Sequence, residues 1–238
     1  MAAIGANYDF REVVNRAAER YRAIGRHAYY FCRSKLAHDP VFHALLDGGH
    51  IPDGARVVDL GCGQGVLAAL LASANGLAVL DRANDAPHYA LHGIDLRSGA
   101  IAEAKRALAD LGDRVRFEVG DLRTVEVPPA DVIIILDVLH YLDDDAQRRL
   151  LQRSYRALTS GGTLLLRVGD AEGGWRFRLT LAIDKLVGFV RHRGSHRLTC
   201  RSLAQWMALV QASGFDVEAH PMSRGTPFCN ALLVARRR

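Results

Sequence analysis

The sequence has few cysteines and no long apolar run. Only four of its 238 residues are cysteine, at positions 32, 62, 200 and 229, and no two of them form a Cys-x-x-Cys pair. This spacing does not fit the usual zinc-site or disulfide-framework patterns, so we expect reduced cysteines in a cytoplasmic protein. No apolar run approaches the ~18 residues of a membrane span. Charged residues near the N-terminus interrupt any apolar core of a signal peptide, so we expect none.

The sequence also lacks low-complexity stretches. Hydrophobic residues make up 49% and charged residues 24%, which is the usual mix of a globular domain. The net charge of +5 is concentrated in one place, because segment 171–201 holds seven basic and two acidic residues. This basic segment favours an acidic ligand or partner, although charged surfaces of this size are often only solvated.

Apolar periodicity divides the chain into a helical N-terminal part and an alternating part. Apolar residues three and four positions apart predict helices over 8–47. Strands and helices then alternate, which predicts a parallel sheet with helices on both faces. The predicted strands are 56–60, 91–96, 115–119, 132–136 and 163–168, and the helices between them are 66–73, 98–111 and 144–158. Residues 76–90 are predicted to be an insertion, 171–214 to be helical around a basic loop, and 215–220 with 230–235 to form a closing hairpin.

The strongest chemical signal is the glycine-rich run that follows the first predicted strand. Gly61, Gly63 and Gly65 alternate between a strand and a helix, where glycine lets a ligand approach the backbone. Unpaired N–H groups at a helix start, at the carboxyl edge of a parallel sheet, suit a nucleotide cofactor. The dinucleotide pattern would need glycine at Val66, and the acid Asp59 would repel a pyrophosphate. The spacing therefore disfavours a dehydrogenase and tolerates a ligand that carries an ammonium and a sulfonium.

This run resembles motif I of the class I S-adenosylmethionine-dependent methyltransferases, (D/E)-x-G-x-G-x-G. Further segments resemble the family in its own order: Gly93-Ile94-Asp95 at the second strand, Gly120-Asp121-Leu122 after the third, and Leu136-Asp137-Val138-Leu139-His140 after the fourth. The resemblance implies a Rossmann-like, doubly wound, mostly parallel sheet of seven strands with an antiparallel terminal strand. It also implies a single domain, with 1–50 as an N-terminal helical cap, 51–238 as the methyltransferase core and 171–214 as a helical substrate-side insertion.

The resemblance further implies S-adenosylmethionine as the cofactor. Asp95 would bind its ribose hydroxyls and Asp121 its adenine. The residues expected to bind it are Asp59, Gly61, Cys62, Gly63, Gly65, Asp95, Leu96, Asp121, Leu122 and Asp137. Arg33, next to an aromatic run, is a further candidate that would meet the carboxylate of the cofactor. The alternative is that this aromatic run is simply a helix face buried on the sheet.

His140 is the candidate catalytic residue. Methyl transfer depends mainly on positioning, and a general base is needed only where the acceptor must lose a proton. His140 would then be that base or would orient the acceptor, whereas a histidine in this place can also simply pack. The acids at 143–145 resemble a metal site, but acids also stabilise the first turn of a helix, so no metal is predicted.

Three functions stay open at this point. The first is a methyltransferase for a small-molecule or carrier-bound acyl or aryl acceptor. The basic segment predicts that this acceptor is acidic or is presented by an acidic protein such as an acyl carrier protein. The second is a nucleic-acid (RNA) methyltransferase, which the absence of an (N/D)-P-P-(Y/F) motif after the fourth strand disfavours. The third is a non-catalytic S-adenosylmethionine-binding protein.

Overall fold

The computed structural model describes residues 9–52, 54–78, 90–172, 198–223 and 229–238, and the side chains of 75–78 are not described. Most of the predicted insertion at 76–90 and of the basic segment at 171–201 lies outside the described residues. The chain divides into two compact units, Met1–Val132 and Ile133–Arg238. The division predicted at residue 50 stays a prediction, and the N-terminal helices lie in the first unit.

Three helices precede the sheet, as the apolar periodicity predicts. They are α1 (Phe10–Glu19), α2 (Arg26–His38) and α3 (Pro40–Asp47). The carboxylate of Asp9 accepts the N–H of Arg11 at the start of α1, and Asp39 has the same role at the start of α3, whose first residue is proline. The buried face of α1 packs against α4 (Val66–Ala78), the helix that follows the glycine-rich run.

Seven strands form one sheet in the order β3-β2-β1-β4-β5-β7-β6. β7 is antiparallel to β5 and to β6, so the Rossmann-like fold and its antiparallel terminal strand are confirmed. The strands are β1 (Arg56–Leu60), β2 (Ala90–Asp95), β3 (Val115–Val119), β4 (Ala130–Leu136), β5 (Leu158–Gly169), β6 (Phe215–Pro221) and β7 (Asn230–Arg237).

The first unit brings three strand ends to one edge. β1 pairs in parallel with β2 up to Leu60 opposite Ile94, and β2 pairs with β3 up to Asp95 opposite Val119. Helix α5 (Ser98–Ala107) follows β2, and a 3-10 helix (Ala109–Arg114) leads into β3. Because parallel strands end at the same edge, the loops after β1, β2 and β3 lie side by side.

The second unit contains a 3-10 turn (Leu139–Tyr141), α6 (Asp144–Ala157), β5, α7 (Leu203–Ala212) and the terminal strands. The carboxylate of Asp143 caps α6 by accepting the N–H of Ala146. This agrees with the interpretation that the acids at 143–145 stabilise the start of a helix. β5 begins at Leu158, earlier than the predicted Thr163. Gly161, with φ +74°, lies inside β5. Gly161 and Gly162 are therefore part of the strand and do not form a turn that precedes it.

Within the described ranges, no helix is long and apolar enough to cross a membrane.

Candidate functional site

The glycine-rich loop after β1 is held against the end of β2. The N–H groups of Gly61 and Cys62 both donate to the carbonyl of Ile94, at 2.7 and 3.1 Å. Gly65 has φ +75°, and a Cβ there would lie 3.0 Å from the ring of Phe117. Only glycine fits this backbone without strain, because a Cβ would press against the packed Phe117 ring.

The loop is also supported from the N-terminal helices. Tyr21, which is fully buried after α1, donates its hydroxyl to the carbonyl of Gln64 at 2.7 Å. The amide side chain of Gln64 in turn donates to Glu103 on α5. Tyr21 has no predicted functional role, because nothing in its local sequence distinguishes it from the other apolar residues of the helix face.

Asp59 is a buried acid beside this loop. It is 4% exposed, and within the described part of the chain no donor is hydrogen-bonded to its carboxylate. Burial, with a smaller contribution from the nearby charge of Asp95, raises the pKa of Asp59 to about 7. Such a carboxylate is stabilised either by holding a proton or by a cation placed against it.

Asp95, at the end of β2, joins the loop to α5. It accepts the N–H of Gly63 at 2.9 Å and the N–H of Arg97 at 2.9 Å. The Arg97 side chain adds two further contacts to the same carboxylate. The sequence pattern identified Asp95 but not Arg97, since a partner two residues away carries no distinctive signal.

Asp121 repeats this arrangement after β3. Its carboxylate accepts the N–H of Arg123 at 2.9 Å and faces the Arg123 guanidinium at 3.3 Å. Leu96 is 53% exposed and Val119 is 55% exposed, so the strand ends beside Asp95 and Asp121 carry uncovered apolar surface. Val119 is a further candidate that the motifs did not single out, whereas Leu122 is nearly buried at 8%.

Arg33 lies on α2 and is exposed. Its Nε donates to the side-chain oxygen of Asn15 on α1 at 3.2 Å. Tyr30, in the aromatic run beside it, is 56% exposed, so this part of the run is not a buried helix face. The role of Arg33 toward a cofactor carboxylate stays a prediction.

The first unit fits S-adenosylmethionine. The buried Asp59 would gain from a ligand that carries positive charge, and burial of an unpaired carboxylate is otherwise unfavourable. The exposed Leu96 and Val119 offer an apolar surface for a base, and Asp95 lies between them and the glycine loop. These residues would hold the cofactor, and its bound form supplies the activated methyl group.

The Cys62 thiol is a poor nucleophile, and a hollow beside β3 is separate from the predicted cofactor residues. Burial raises the pKa of the Cys62 thiol, which keeps it protonated and unreactive. A hollow of about 490 Å³ between the end of α5 and β3 contains none of the predicted cofactor residues among those that line it. Among the described residues, no group of histidine, cysteine and acidic side chains is arranged to bind a metal.

In the second unit, Asp137 follows β4 in a strained conformation. Its φ of +57° is the only positive value among the described non-glycine residues. Both carboxylate oxygens are bonded to the guanidinium of Arg167 on β5, which is only 3% exposed. A buried bidentate arginine can maintain a backbone conformation that is otherwise unfavourable. Whether Asp137 also binds a cofactor stays a prediction.

His140 lies in the 3-10 turn that follows Asp137. Its carbonyl accepts the N–H of Thr199 at 2.9 Å, and its ring lies 4.2 Å from that of Tyr141. The fully buried side chain of Gln147 donates to the carbonyls of Leu139, Leu142 and Thr199 at 3.0, 3.1 and 3.2 Å. The turn and residue 199 therefore form one hydrogen-bonded group around Gln147.

The two ends of the basic segment 171–201 meet beside this group. The N–H of Ala171 donates to the carbonyl of Arg201 at 3.0 Å, and the N–H of Leu203 donates to Asp170 at 3.0 Å. The Arg201 side chain bonds to Gln147 and to Asp144. Residues 198–201, at the end of the basic segment, are thus attached to the turn that carries His140.

A family model described as a methyltransferase domain matches residues 58–164. Among curated relatives, a carboxy-S-adenosyl-L-methionine synthase of Chromohalobacter salexigens is 35% identical over 124 residues. A trans-aconitate 2-methyltransferase of Methylobacterium nodulans is 36% identical over 117 residues, and a ribosomal RNA large subunit methyltransferase G of Pseudomonas syringae is 36% identical over 163. These matches cover 51%, 49% and 65% of this chain but only 43%, 39% and 39% of the relatives. The chain thus spans less than half the length of each.

The fold is shared with solved methyltransferase structures. Human N-acetylserotonin methyltransferase, solved in complex with S-adenosylmethionine, superposes with a TM-score of 0.62 at 20% identity. The superposition covers 93% of this chain and 56% of the human chain. The matched residues 58–164 include the glycine loop, Asp95, Asp121 and the His140 turn. Residues 58–164 therefore match the methyltransferase-domain family, and the chain shares the fold of solved methyltransferases.

Proposed function

We propose that this protein transfers the methyl group of S-adenosylmethionine to a small-molecule or carrier-bound acyl or aryl acceptor. The observation that carries the proposal is the attachment of the basic segment to the His140 turn through Thr199 and Gln147. It joins the predicted substrate-side insertion to the candidate catalytic residue within one unit. Such an arrangement suits a site that surrounds a small acceptor group.

The chain's own residues would contribute positioning and proton removal. His140 receives the proton that the attacking atom of the acceptor loses, or orients that atom if no proton must leave. The paired Asp137 and Arg167, together with Gln147, hold the turn that carries His140. Preorganised placement of this kind accounts for much of the rate enhancement of a transfer reaction.

An acidic acceptor is the form of this proposal that the charge distribution supports. Segment 171–201 carries the equivalent of the whole net charge of the chain, and six of its seven basic residues are arginine. Arginine pairs bidentately with carboxylates and phosphates. One relative, the trans-aconitate 2-methyltransferase, is named for an acidic small molecule. We also infer a cytoplasmic setting, in line with four cysteines that form no disulfide.

RNA is the second candidate acceptor. The relative named as a ribosomal RNA methyltransferase matches a larger share of this chain, 65%, than the trans-aconitate enzyme, 49%. Against RNA stands the absence of the (N/D)-P-P-(Y/F) motif after β4, where the chain has Asp137-Val138-Leu139-His140.

Acceptor classes can be compared directly with methyl-labelled S-adenosylmethionine. The protein is incubated with a panel of small carboxylic acids and phenols, with acyl carrier protein bearing acyl or aryl groups, and with unmethylated ribosomal RNA. Label transfer to a small or carrier-bound acceptor supports the proposal. Transfer to RNA alone would establish the second candidate. Binding without transfer to any class would favour a non-catalytic protein.

The role of His140 is tested with the acceptor found in this way. Replacing His140 with alanine should lower turnover by roughly 10²–10⁴ if it receives a proton. The affinity for S-adenosylhomocysteine, measured by calorimetry, should stay unchanged. A loss of turnover below tenfold would remove the base role and leave His140 as a packing residue.

A further inference from the structure

All acceptor positions of the Asp95 carboxylate are used by the protein itself. A carboxylate offers about four lone-pair positions. On Asp95 these receive the N–H groups of Gly63 and Arg97 at 2.9 Å each, the Arg97 Nε at 3.1 Å and the Arg97 Nη2 at 3.4 Å. Asp95 is only 6% exposed, so water does not enlarge this set. Any further donor must replace one that is already there.

The four donors differ in how easily they can leave. Two are backbone N–H groups, one in the glycine loop and one in the residue before α5, and they hold the carboxylate in place whatever the side chain of Arg97 does. The other two belong to the Arg97 side chain, which is 33% exposed. Its contacts are also the longer ones. The guanidinium is therefore the group that can be exchanged.

The same guanidinium also covers the glycine loop. The Arg97 Nη2 lies 3.1 Å from the position that a Cβ on Gly63 would take. Gly63 has φ +56° and keeps its Cα face free of any side chain of its own. Arg97 thus extends from the acid at the end of β2 across the loop after β1, over the surface that fits the cofactor.

We propose that Arg97 is an exchangeable latch on the cofactor site. Its guanidinium holds Asp95 in the ligand-free protein and leaves that carboxylate when the ribose hydroxyls of an adenosyl ligand bind. This inference rests on the proposed function, in that the ligand is an adenosyl compound whose ribose hydroxyls bind Asp95. The latch adds a cost to binding that a neutral residue at position 97 would not impose.

Asp121 and Arg123 show the same sequence and the same geometry. Both acids stand in an Asp-Leu-Arg run, and each accepts the N–H of the arginine two residues on. In the described structure no backbone N–H other than that of Arg123 donates to the Asp121 carboxylate, and the contacts from the Arg123 guanidinium are 3.3 and 3.4 Å long. The closed form of the latch is therefore better developed at Asp95.

The test measures binding of S-adenosylhomocysteine by calorimetry to the full-length protein and to Arg97→Leu. Removing the latch should tighten the dissociation constant by about threefold to tenfold, the scale of one partly exposed ion pair with its hydrogen bonds. The matched control is Arg106→Leu, which removes the same charge from an exposed position of α5 and should leave the constant unchanged. Arg97→Lys keeps the charge without the two-pronged donor and should lie between the parent and Arg97→Leu.

Two further measurements separate a latch from a merely structural arginine. Without ligand, Arg97→Leu should have a slightly lower melting temperature than the parent. Saturating S-adenosylhomocysteine should raise the melting temperature of Arg97→Leu by more than it raises that of the parent. Adenosine should bind Arg97→Leu more tightly than it binds the parent. The analogue 2′,3′-dideoxyadenosine should not, because it has no hydroxyls to replace the guanidinium.

The outcomes distinguish the latch from the cofactor assignment. If the parent binds S-adenosylhomocysteine and folded Arg97→Leu binds it equally or more weakly, the latch is wrong and the cofactor assignment stands. The latch is also wrong if the dideoxy analogue gains as much affinity as adenosine. If neither the parent nor Arg106→Leu binds S-adenosylhomocysteine, the cofactor assignment fails and the latch with it.

Discussion

Two acids in the first unit differ in their hydrogen bonding: one supports the glycine loop, and the other is buried. Asp95 is saturated by its own chain, whereas Asp59 is buried without a donor among the described residues. The two acids thus have different surroundings, although both lie near the end of a strand. Asp95 is fully hydrogen-bonded, whereas the ionised form of Asp59 would gain from a cation placed against it.

The state of Asp59 predicts a pH dependence of stability. Its pKa is raised from 3.8 to about 7, so the folded protein holds this proton over a range where the unfolded chain has lost it. The contribution of Asp59 to stability is therefore present below about pH 4 and is lost as the pH rises through about 7. Asp59→Asn should remove this decline. Urea unfolding at about pH 5 and about pH 8 should show a smaller difference for the variant than for the parent.

The same acid predicts a pH dependence of binding. A ligand with an ammonium or sulfonium group requires the ionised form, so its affinity should rise between about pH 6 and about pH 8 in the parent. In Asp59→Asn the affinity should be lower and flatter across this range. Calorimetric titrations across this range measure both profiles. Equal pH profiles for the two proteins would show that Asp59 does not face the cationic part of the ligand.

At the scale of elements, the N-terminal helices help to position the glycine loop. Tyr21 connects the end of α1 to the carbonyl of Gln64, and α1 itself packs on the helix that follows the loop. The loop is thus held by β2 on one side and by an N-terminal residue on the other. A conformation that depends on three positive-φ glycines is maintained by these contacts.

Tyr21→Phe tests whether the Tyr21 hydroxyl stabilises the glycine loop. The variant keeps the ring and leaves the partly buried carbonyl of Gln64 without its donor, which costs about 1–3 kcal/mol in unfolding free energy. Affinity for S-adenosylhomocysteine should fall as well, because the loop loses one fixed point. Tyr30→Phe is the control, since that ring is 56% exposed and should change neither quantity. An unchanged affinity in Tyr21→Phe would limit Tyr21 to a role in stability.

Gln147 has the corresponding role in the second unit. It is fully buried and donates to three carbonyls, so Gln147→Leu should lower the unfolding free energy by about 2–3 kcal/mol. Hydrogen exchange should also speed up at the Thr199 amide, which donates to His140. Gln152→Leu makes the same replacement at an exposed position of α6 and should have little effect. Slow exchange at Thr199 in Gln147→Leu would show that the turn does not need this side chain.

At the scale of the whole molecule, charge is distributed unevenly along the chain. Segment 171–201 accounts for the full net charge of +5, and the rest of the chain is balanced. Electrostatic attraction of an acidic acceptor acts on the rate of encounter and weakens with salt. The positive charge of the segment is known from the sequence alone. It includes Arg191, Arg193 and Arg197, which lie outside the described structure.

Salt dependence tests the acidic-acceptor proposal. As salt shortens the Debye length from ~30 Å at 0.01 M to ~8 Å at 0.15 M, kcat/KM should fall. Neutralising Arg191, Arg193 and Arg197 together should raise KM for the acceptor and flatten that dependence. If the triple variant behaves like the parent at both salt concentrations, the basic segment is only a solvated surface.

Much of the fold could be predicted from local sequence. β1 and β3 begin and end where the apolar pattern predicts. The errors occur where tertiary contacts override local signals. β5 extends back to Leu158 across a glycine pair that reads locally as a turn. The predicted helix 98–111 ends at Ala107 and gives way to a 3-10 helix.

The sequence alone determined the resemblance to the methyltransferases, because the alternating glycines and the acids near the ends of β1, β2 and β3 are local patterns tied to strand ends. It could not show which of these acids are already satisfied. Arg97 and Asp95 are two residues apart, but other partners are distant in sequence. Gly63 bonds to Asp95 across 32 residues, and Tyr21 bonds to Gln64 across 43. Gln147 bonds to Leu139 across 8 residues and to Thr199 across 52. Hydrogen bonds at such separations form only once the chain is folded. Only the tertiary structure therefore decided how the loop is held, that Asp59 is buried without a hydrogen-bond donor among the described residues, and that residues 198–201 are attached to the His140 turn.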